Sequence, residues 1–162
     1  MKFKNYLKIC GYSSLTFLII SISGAQVFAN SSEETSPDNR IAECPQNRNT
    51  LSAPDEFLKM KNPVDPTDEN IDAGAKLFLG SIAPIPCTIC HGVAGDGLGD
   101  PDFESTPSPR NFTCKETMGV IPDGQLFWVI KSGVPRTAMP SFDELSDDQI
   151  WHLILYIRHL GK

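Results

Sequence analysis

The string Cys87-Thr88-Ile89-Cys90-His91 constrains this chain more than any other feature of its sequence. Two thiols three positions apart can each add across one vinyl group of a haem, which gives two thioether bonds. The next residue, His91, then lies where an imidazole nitrogen can ligate the iron. The pattern predicts one covalently attached haem c, held by Cys87, Cys90 and His91.

Three other interpretations of this string explain less of the sequence. A zinc site needs a second pair of Cys or His at matched spacing, whereas Cys44 and Cys114 are single and far apart. A thioredoxin-like redox pair needs a βαβ context, and no segment shows convincing period-two alternation. A plain disulfide between Cys87 and Cys90 would leave His91 and the loop without a role.

Residues 1–29 have the pattern of a secretory signal peptide. Lys2, Lys4 and Lys8 form a basic start, Leu15–Ile22 is the densest apolar stretch, and small residues precede a cleavage point after Ala29. The stretch is shorter than the roughly 20 residues that span a bilayer. We therefore expect cleavage, a periplasmic mature protein and no membrane span after cleavage.

The charge of the chain excludes one class of partner and favours another. Removing the signal takes away three lysines and no acid, so the net charge goes from −6 to −9. Such an acidic chain is a poor ligand for nucleic acid, which needs clustered Lys and Arg. Acidic side chains near the haem string would steer the protein toward redox partners with a basic docking surface. These acids are Asp96, Asp100, Asp102 and Glu104.

The composition along the chain indicates three parts. After the signal peptide, residues 30–66 form a polar N-terminal arm, in which Asn30–Arg40 is predicted to be disordered. Within the arm, Leu51–Met60 is expected either to form one helical turn or to dock on the domain. Residues 67–162 make the folded domain. Its segment 81–120 is rich in Gly and Pro, which indicates either that something other than the chain supplies the core there or that the loop is functional.

Three helices are predicted in the domain. The first runs from about Asp68 to Leu79 with Thr67 as its N-cap. The second is Asp123–Ser132, and the third follows a capping box of Ser146 and Gln149. Apolar residues of the third helix recur at helical spacing from Ile150 to Ile157.

Together these features resemble class I c-type cytochromes, especially bacterial monohaem members, over about residues 68–161. The resemblance implies the all-α cytochrome c fold, with three to five helices wrapped around one covalently bound haem and long irregular loops. It also implies that the first and last helices cross near Gly74 and Tyr156. The strings that carry it are CTICHGVAGDGLGDP, SPRNFT, GVPRTAMPSF and LSDDQIWHLILYIRHL.

The resemblance also suggests the remaining ligands of the haem. Met139, before Pro140, matches the position of the sixth ligand, so His91 and Met139 are the expected metal ligands. A thiolate from Cys44 or Cys114 is the rival ligand. The expected roles of the other candidates are simpler: Met60 and Met118 as core or surface fillers, His152 and His159 as surface residues.

Two further residues are expected near the haem, and two cysteines are left over. The family uses a proline carbonyl to accept the hydrogen bond of the ligating imidazole, and Pro101 matches best. Arg110 is a candidate partner for a haem propionate. Cys44 and Cys114 can form a disulfide between arm and loop or stay unpaired.

The expected function is one-electron transfer by a periplasmic carrier rather than enzymatic catalysis. Two protein ligands leave no open position for a substrate, and the chain then sets the potential and offers a docking surface. Two alternatives stay open. The chain can be a haem subunit fixed in a larger oxidoreductase, with the arm as an assembly element, or a gas-binding haem with a Cys-ligated or open sixth site.

Overall fold

The structure is a computed structural model that describes residues 42–81 and 85–162. In these ranges the chain forms six helices and no strand, which confirms the all-α class. The number exceeds the expected three to five because three helices are single turns of four residues. The helices are α1 (Asp55–Leu58), α2 (Asp68–Phe78), α3 (Thr88–His91), α4 (Lys115–Met118), α5 (Asp123–Ser132) and α6 (Asp147–Leu160).

The predicted caps set the starts of α2 and α6. The Thr67 side chain accepts a hydrogen bond from the Asn70 N–H, which satisfies one of the free donors of the first turn. At α6, the Ser146 hydroxyl accepts from the Gln149 N–H, and the Gln149 side chain accepts from the Ser146 N–H. The capping box is therefore confirmed. α5 has its predicted bounds, and α2 ends one residue before Leu79.

The crossing of α2 and α6 requires a glycine at position 74. A Cβ atom on Gly74 would lie 2.1 Å from the His152 carbonyl oxygen and 2.8 Å from the Tyr156 Cβ. One turn later, the Phe78 and Tyr156 rings have their centroids 5.4 Å apart. The predicted crossing near Gly74 and Tyr156 is confirmed, and the close approach depends on the missing side chain.

The hydrophobic core lies among α2, α5 and α6. Phe78, Ile150 and Ile154 are fully buried, and the Phe127 and Trp151 rings stack with centroids 4.5 Å apart. Part of this core also forms one wall of a cavity, through Phe112, Leu126, Ile130, Phe142, Leu153 and Ile157. The helical core therefore forms an apolar wall on one side of the cavity, and the irregular segments close its other sides.

The described part of the arm, residues 42–66, packs along the domain. Cys44 and Cys114 are joined as a disulfide, with Cα atoms 5.5 Å apart. The Gln125 side chain accepts from the Ala53 N–H at 2.8 Å and donates to the Leu51 carbonyl at 3.0 Å. Leu51–Met60 thus both contains a helical turn, α1, and docks on the domain.

The predicted signal peptide, residues 1–29, and the predicted disordered run Asn30–Arg40 lie outside the described residues. Among the helices that are described, none combines the length and the apolar character needed to cross a membrane.

Candidate haem site

One cavity of about 850 Å³ brings together most of the predicted site residues. Its lining includes Cys87, Cys90, His91, Arg110 and Met139, but not Pro101. The volume lies in the upper part of the range for small-molecule sites, about 300–1,000 Å³. Two thiols, an imidazole, a thioether and an apolar wall are the donor set and surroundings that suit a covalently attached haem.

The attachment string folds as one helical turn, α3. The His91 N–H donates to the Cys87 carbonyl at 2.8 Å, and the Cys87 N–H donates to the Phe78 carbonyl at the end of α2 at 3.1 Å. Gly92 ends the turn with φ 77°, a conformation that residues with side chains rarely adopt. The turn is thereby tied to α2 and presents both thiols and the imidazole to the same cavity.

The hydrogen bond of His91 determines which nitrogen is free to ligate a metal. Its Nδ1 lies 2.9 Å from the Arg110 carbonyl oxygen, and because a carbonyl only accepts, Nδ1 carries the proton. Burial, with the charges of Arg48 and Arg110 adding to it, lowers the pKa of His91 to about 4. The imidazole is therefore neutral at pH 7, with the lone pair on Nε2.

The prediction that Pro101 accepts this hydrogen bond is wrong. Pro101 is exposed in a turn and does not line the cavity, while the preceding Asp100 N–H donates to the Ile89 carbonyl. The segment that reaches His91 instead contains Arg110 and Phe112, whose ring stacks on the imidazole at 4.4 Å. Arg110 was predicted near the haem, but as a side-chain partner for a propionate. Its carbonyl was not predicted to accept the hydrogen bond of His91.

The two thiols of the string are free and difficult to ionise. Burial raises the pKa of Cys87 to about 11 and also raises the pKa of Cys90. Redox-active Cys-x-x-Cys pairs show the opposite shift, because their function needs a thiolate. The thioredoxin-like interpretation is therefore disfavoured by the surroundings of the thiols as well as by the absence of strands among the described residues.

The zinc interpretation is disfavoured by the position of the other ligand types. In residues 42–81 and 85–162, the only group of three metal-ligating side chains that converge is Cys44, Cys114 and Glu116. Its two sulfurs are bonded to each other, so they offer no thiolate to a metal. The same disulfide removes both residues as rival ligands of the haem iron.

Met139 is the one methionine among the described residues that lines the cavity. Met118 is buried in the core, and Met60 packs against the core from outside. The loop that carries Met139 is closed by hydrogen bonds: its carbonyl accepts from the Val134 N–H at 3.1 Å, and its N–H donates to the Thr137 hydroxyl at 3.2 Å. Neither His152 nor His159 lines the cavity.

Three arginines line the cavity, Arg48, Arg110 and Arg136, and the first two interact with each other. Arg110 is the predicted one, and its guanidinium donates to the Thr50 hydroxyl at 3.2 Å. Arg48 comes from the arm, and sequence analysis missed it because the arm lies outside the resemblance and has no periodic pattern. Burial and the charge of Arg48 lower the pKa of Arg110 to about 10. This pair of cations suits the carboxylates of a haem.

The chain matches a family model and is similar to a solved structure. The family described as "Cytochrome C oxidase, cbb3-type, subunit III" matches residues 69–157. The solved structure is a chain of the reducing HAO-like protein complex of Kuenenia stuttgartiensis, with 31% identity and a TM-score of 0.52. The likeness covers 65% of this chain and 49% of that one, so the chain spans about half the length of its structural neighbour. No curated protein matches.

The family match extends over the haem string, the Met139 loop and most of α6. It spans more than half of the 162 residues. The chain therefore belongs to this family of c-type cytochromes, whose cofactor is a covalently bound haem c.

Proposed function

We propose that this cytochrome is an exported one-electron carrier whose haem iron is ligated by His91 and Met139. The observation that carries the proposal is the shared cavity, in which a neutral His91 and the only cavity-lining methionine of the described residues face the same space as both thiols. A neutral imidazole and a thioether favour Fe(II) relative to harder ligands, which suits a carrier of raised potential.

Each residue of the site has a separate role in this proposal. A bound haem supplies a one-electron Fe(III)/Fe(II) couple. Cys87 and Cys90 anchor the macrocycle covalently, and His91, oriented by the Arg110 carbonyl, offers its Nε2 lone pair. Arg48 and Arg110 hold carboxylates, and the apolar wall excludes water. In this proposal the described side chains of the site bind and position the haem and supply no acid, base or nucleophile, which is the role of an electron carrier.

The ligand assignment is tested by optical spectra of both redox states and by the variant Met139→Ala. We expect the weak Met–Fe(III) band near the red end in the natural protein, its loss in the variant, and new binding of CO to the reduced variant. Met60→Ala is the matched control, because Met60 lies outside the cavity lining. Unchanged spectra and CO binding in Met139→Ala would overturn the assignment and favour a gas-binding haem.

Export and partner choice belong to the same proposal. Cleavage after Ala29 would deliver a periplasmic protein, and the N-terminal sequence of exported protein tests this.

The exposed acids Asp100, Asp102 and Glu104 favour a partner with a basic docking surface. The charged residues in the cavity lining itself are three cations, Arg48, Arg110 and Arg136, and one acid, Glu116. Electron-transfer rates that rise with salt would contradict a basic partner.

A second candidate is a haem subunit held permanently in a larger redox enzyme. The family description refers to a subunit of an oxidase, and the structural neighbour belongs to a protein complex. Three exposed apolar side chains, Leu51, Ile85 and Val120, also line the cavity. Apolar groups around a site suit a permanent contact. Stable co-purification with a catalytic subunit supports this candidate, and a monomer that exchanges electrons in solution supports the carrier.

A further inference from the structure

The peptide unit between Arg110 and Asn111 is hydrogen-bonded at both of its polar ends. Its carbonyl faces His91, with 2.9 Å between the oxygen and Nδ1. Its N–H, on Asn111, donates to the Gln46 Oε1 at 2.8 Å. Gln46 lies in the arm, 65 residues away in sequence. The arm is thereby connected to the imidazole through one peptide plane.

The Gln46 side chain is held in one orientation by its own partners. Its Nε2 donates to the Pro109 carbonyl at 2.9 Å, while its Oε1 also accepts from the Arg48 guanidinium at 3.0 Å. Since one end of the amide faces a carbonyl and the other faces two donors, the assignment of oxygen and nitrogen is unambiguous. The Gln46 backbone N–H donates to the Thr117 hydroxyl at 3.0 Å.

Neighbouring contacts keep both sides of this connection in place. Two residues before Gln46, the disulfide of Cys44 joins the arm to Cys114. On the other side, the buried Asn111 side chain accepts from the Thr113 N–H at 2.9 Å and donates to the Glu43 carbonyl at 3.2 Å. The arm and the segment that bears the Arg110 carbonyl are thus fixed relative to each other.

We propose that Gln46 is a positioning residue for the axial imidazole and that it tunes the reduction potential through the Arg110–Asn111 peptide. This inference rests on the proposed function, in which His91 ligates the iron. A hydrogen bond to the N–H of a peptide polarises its carbonyl, which becomes a stronger acceptor. A stronger acceptor at Nδ1 makes the imidazole more basic, favours Fe(III) and lowers the potential.

The proposal gives the arm a role that the family match does not cover. Gln46 precedes the matched residues 69–157, so it acts on the haem site from outside the family domain. Removing a direct hydrogen-bond partner of a metal-bound imidazole typically lowers the metal affinity or the activity by about 10–100-fold. Gln46 acts one hydrogen bond further away, so we expect a smaller, approximately three- to tenfold effect on the reduction equilibrium.

The test is a potentiometric titration of the holoprotein with redox mediators. Gln46→Leu removes the acceptor and should raise the potential, by about 28 to 59 mV for a three- to tenfold change at one electron. Gln46→Glu loses the donor to Pro109 but keeps a stronger acceptor and adds a negative charge, and both of these should lower the potential. Asn47→Leu is the matched control, since Asn47 is the exposed neighbour of Gln46 and lies outside the cavity lining. It should leave the potential unchanged.

A second measurement separates positioning from mere loosening of the arm. Gln125→Leu removes two other side-chain contacts to the arm, at Leu51 and Ala53, but leaves the Arg110–Asn111 peptide bonded. In the reduced protein, proton exchange at His91 Nδ1, followed by NMR, should accelerate in Gln46→Leu and stay unchanged in Gln125→Leu. Gln46→Leu should shift the potential equally in an Arg48→Leu background, since the effect runs through the peptide and not through the guanidinium.

The outcomes distinguish this proposal from the one it rests on. Equal potentials and exchange rates in Gln46→Leu, Gln46→Glu and the natural protein, with a His/Met haem present, overturn the role of Gln46 alone. A shift that Gln125→Leu reproduces, or that disappears in Arg48→Leu, also overturns it. A natural protein without His91 ligation overturns the proposed function, and that result is visible in its spectrum before any variant is made.

Discussion

α2 and α6 meet through a close backbone approach at Gly74, and α1 meets α5 in the same way at Gly124, with the Phe57 ring stacked on Phe127. Residues 42–53 of the arm instead meet the domain through hydrogen bonds and one disulfide. We call α2, α5 and α6 the helical framework, and residues 42–53 and 92–114 the covering segments. Apolar burial and caps stabilise the framework. The covering segments have few core residues and depend on links that reach across the sequence, including the haem itself.

The largest effect should follow from removing both thiols, in Cys87→Ala/Cys90→Ala. Because no thioether can form, the denatured chain should carry no haem mass. The covering segments should then exchange their amide hydrogens faster, while α2 and α6 keep more protection through their own crossing. Mass spectrometry and hydrogen exchange measure the two effects. Equal loss of protection in both regions would show that the framework and covering segments form one cooperative unit.

The next effect should come from the disulfide between Cys44 and Cys114. It joins residues 70 apart in sequence, and removing a link of this kind costs about 2–4 kcal/mol of unfolding free energy. Denaturant unfolding of Cys44→Ala/Cys114→Ala measures the loss, which should be accompanied by faster exchange in residues 42–50. Each single variant should lose about as much as the double variant, since either change breaks the bond. Additive losses would contradict the disulfide.

The same contrast explains what could be predicted from the sequence. Caps and apolar stripes act over three or four residues, so the bounds of α5 and the start of α6 follow from local pattern. The haem string is also local. Gln46 and Arg48 act on residues about 60 positions away, in an arm without periodicity, and nothing local marks them. The error at Pro101 is similar, because the path of a Gly-rich loop is set by distant contacts.

A smaller effect, confined to the framework, is expected from Gly74→Ala. The added Cβ would meet the His152 carbonyl at 2.1 Å, so α2 and α6 must separate. Overpacking of this kind costs about 1–3 kcal/mol, and a backbone atom cannot rotate away as a side chain can. Thermal unfolding measures the loss. Asp72→Ala, on the exposed side of α2, is the control and should unfold like the natural protein.

The smallest losses of stability are expected at the N-caps of α2 and α6, and the two losses should differ in size. Ser146→Ala removes one bond of a reciprocal capping box, whereas Thr67→Ala removes a single contact of 3.3 Å to the Asn70 N–H. Losing such a cap costs about 0.5–2 kcal/mol, and we expect Ser146→Ala at about 1 kcal/mol and Thr67→Ala at about 0.5 kcal/mol.

Denaturant midpoints measure the two losses, and Ser141→Ala, at an exposed serine outside the helices, is the control. Neither cap lines the cavity, so both variants should keep the potential of the natural protein while losing stability. Gln46→Leu should do the reverse and move the potential more than the stability. A cap variant that shifted the potential would mean that the framework, and not the covering segments, controls the surroundings of the iron.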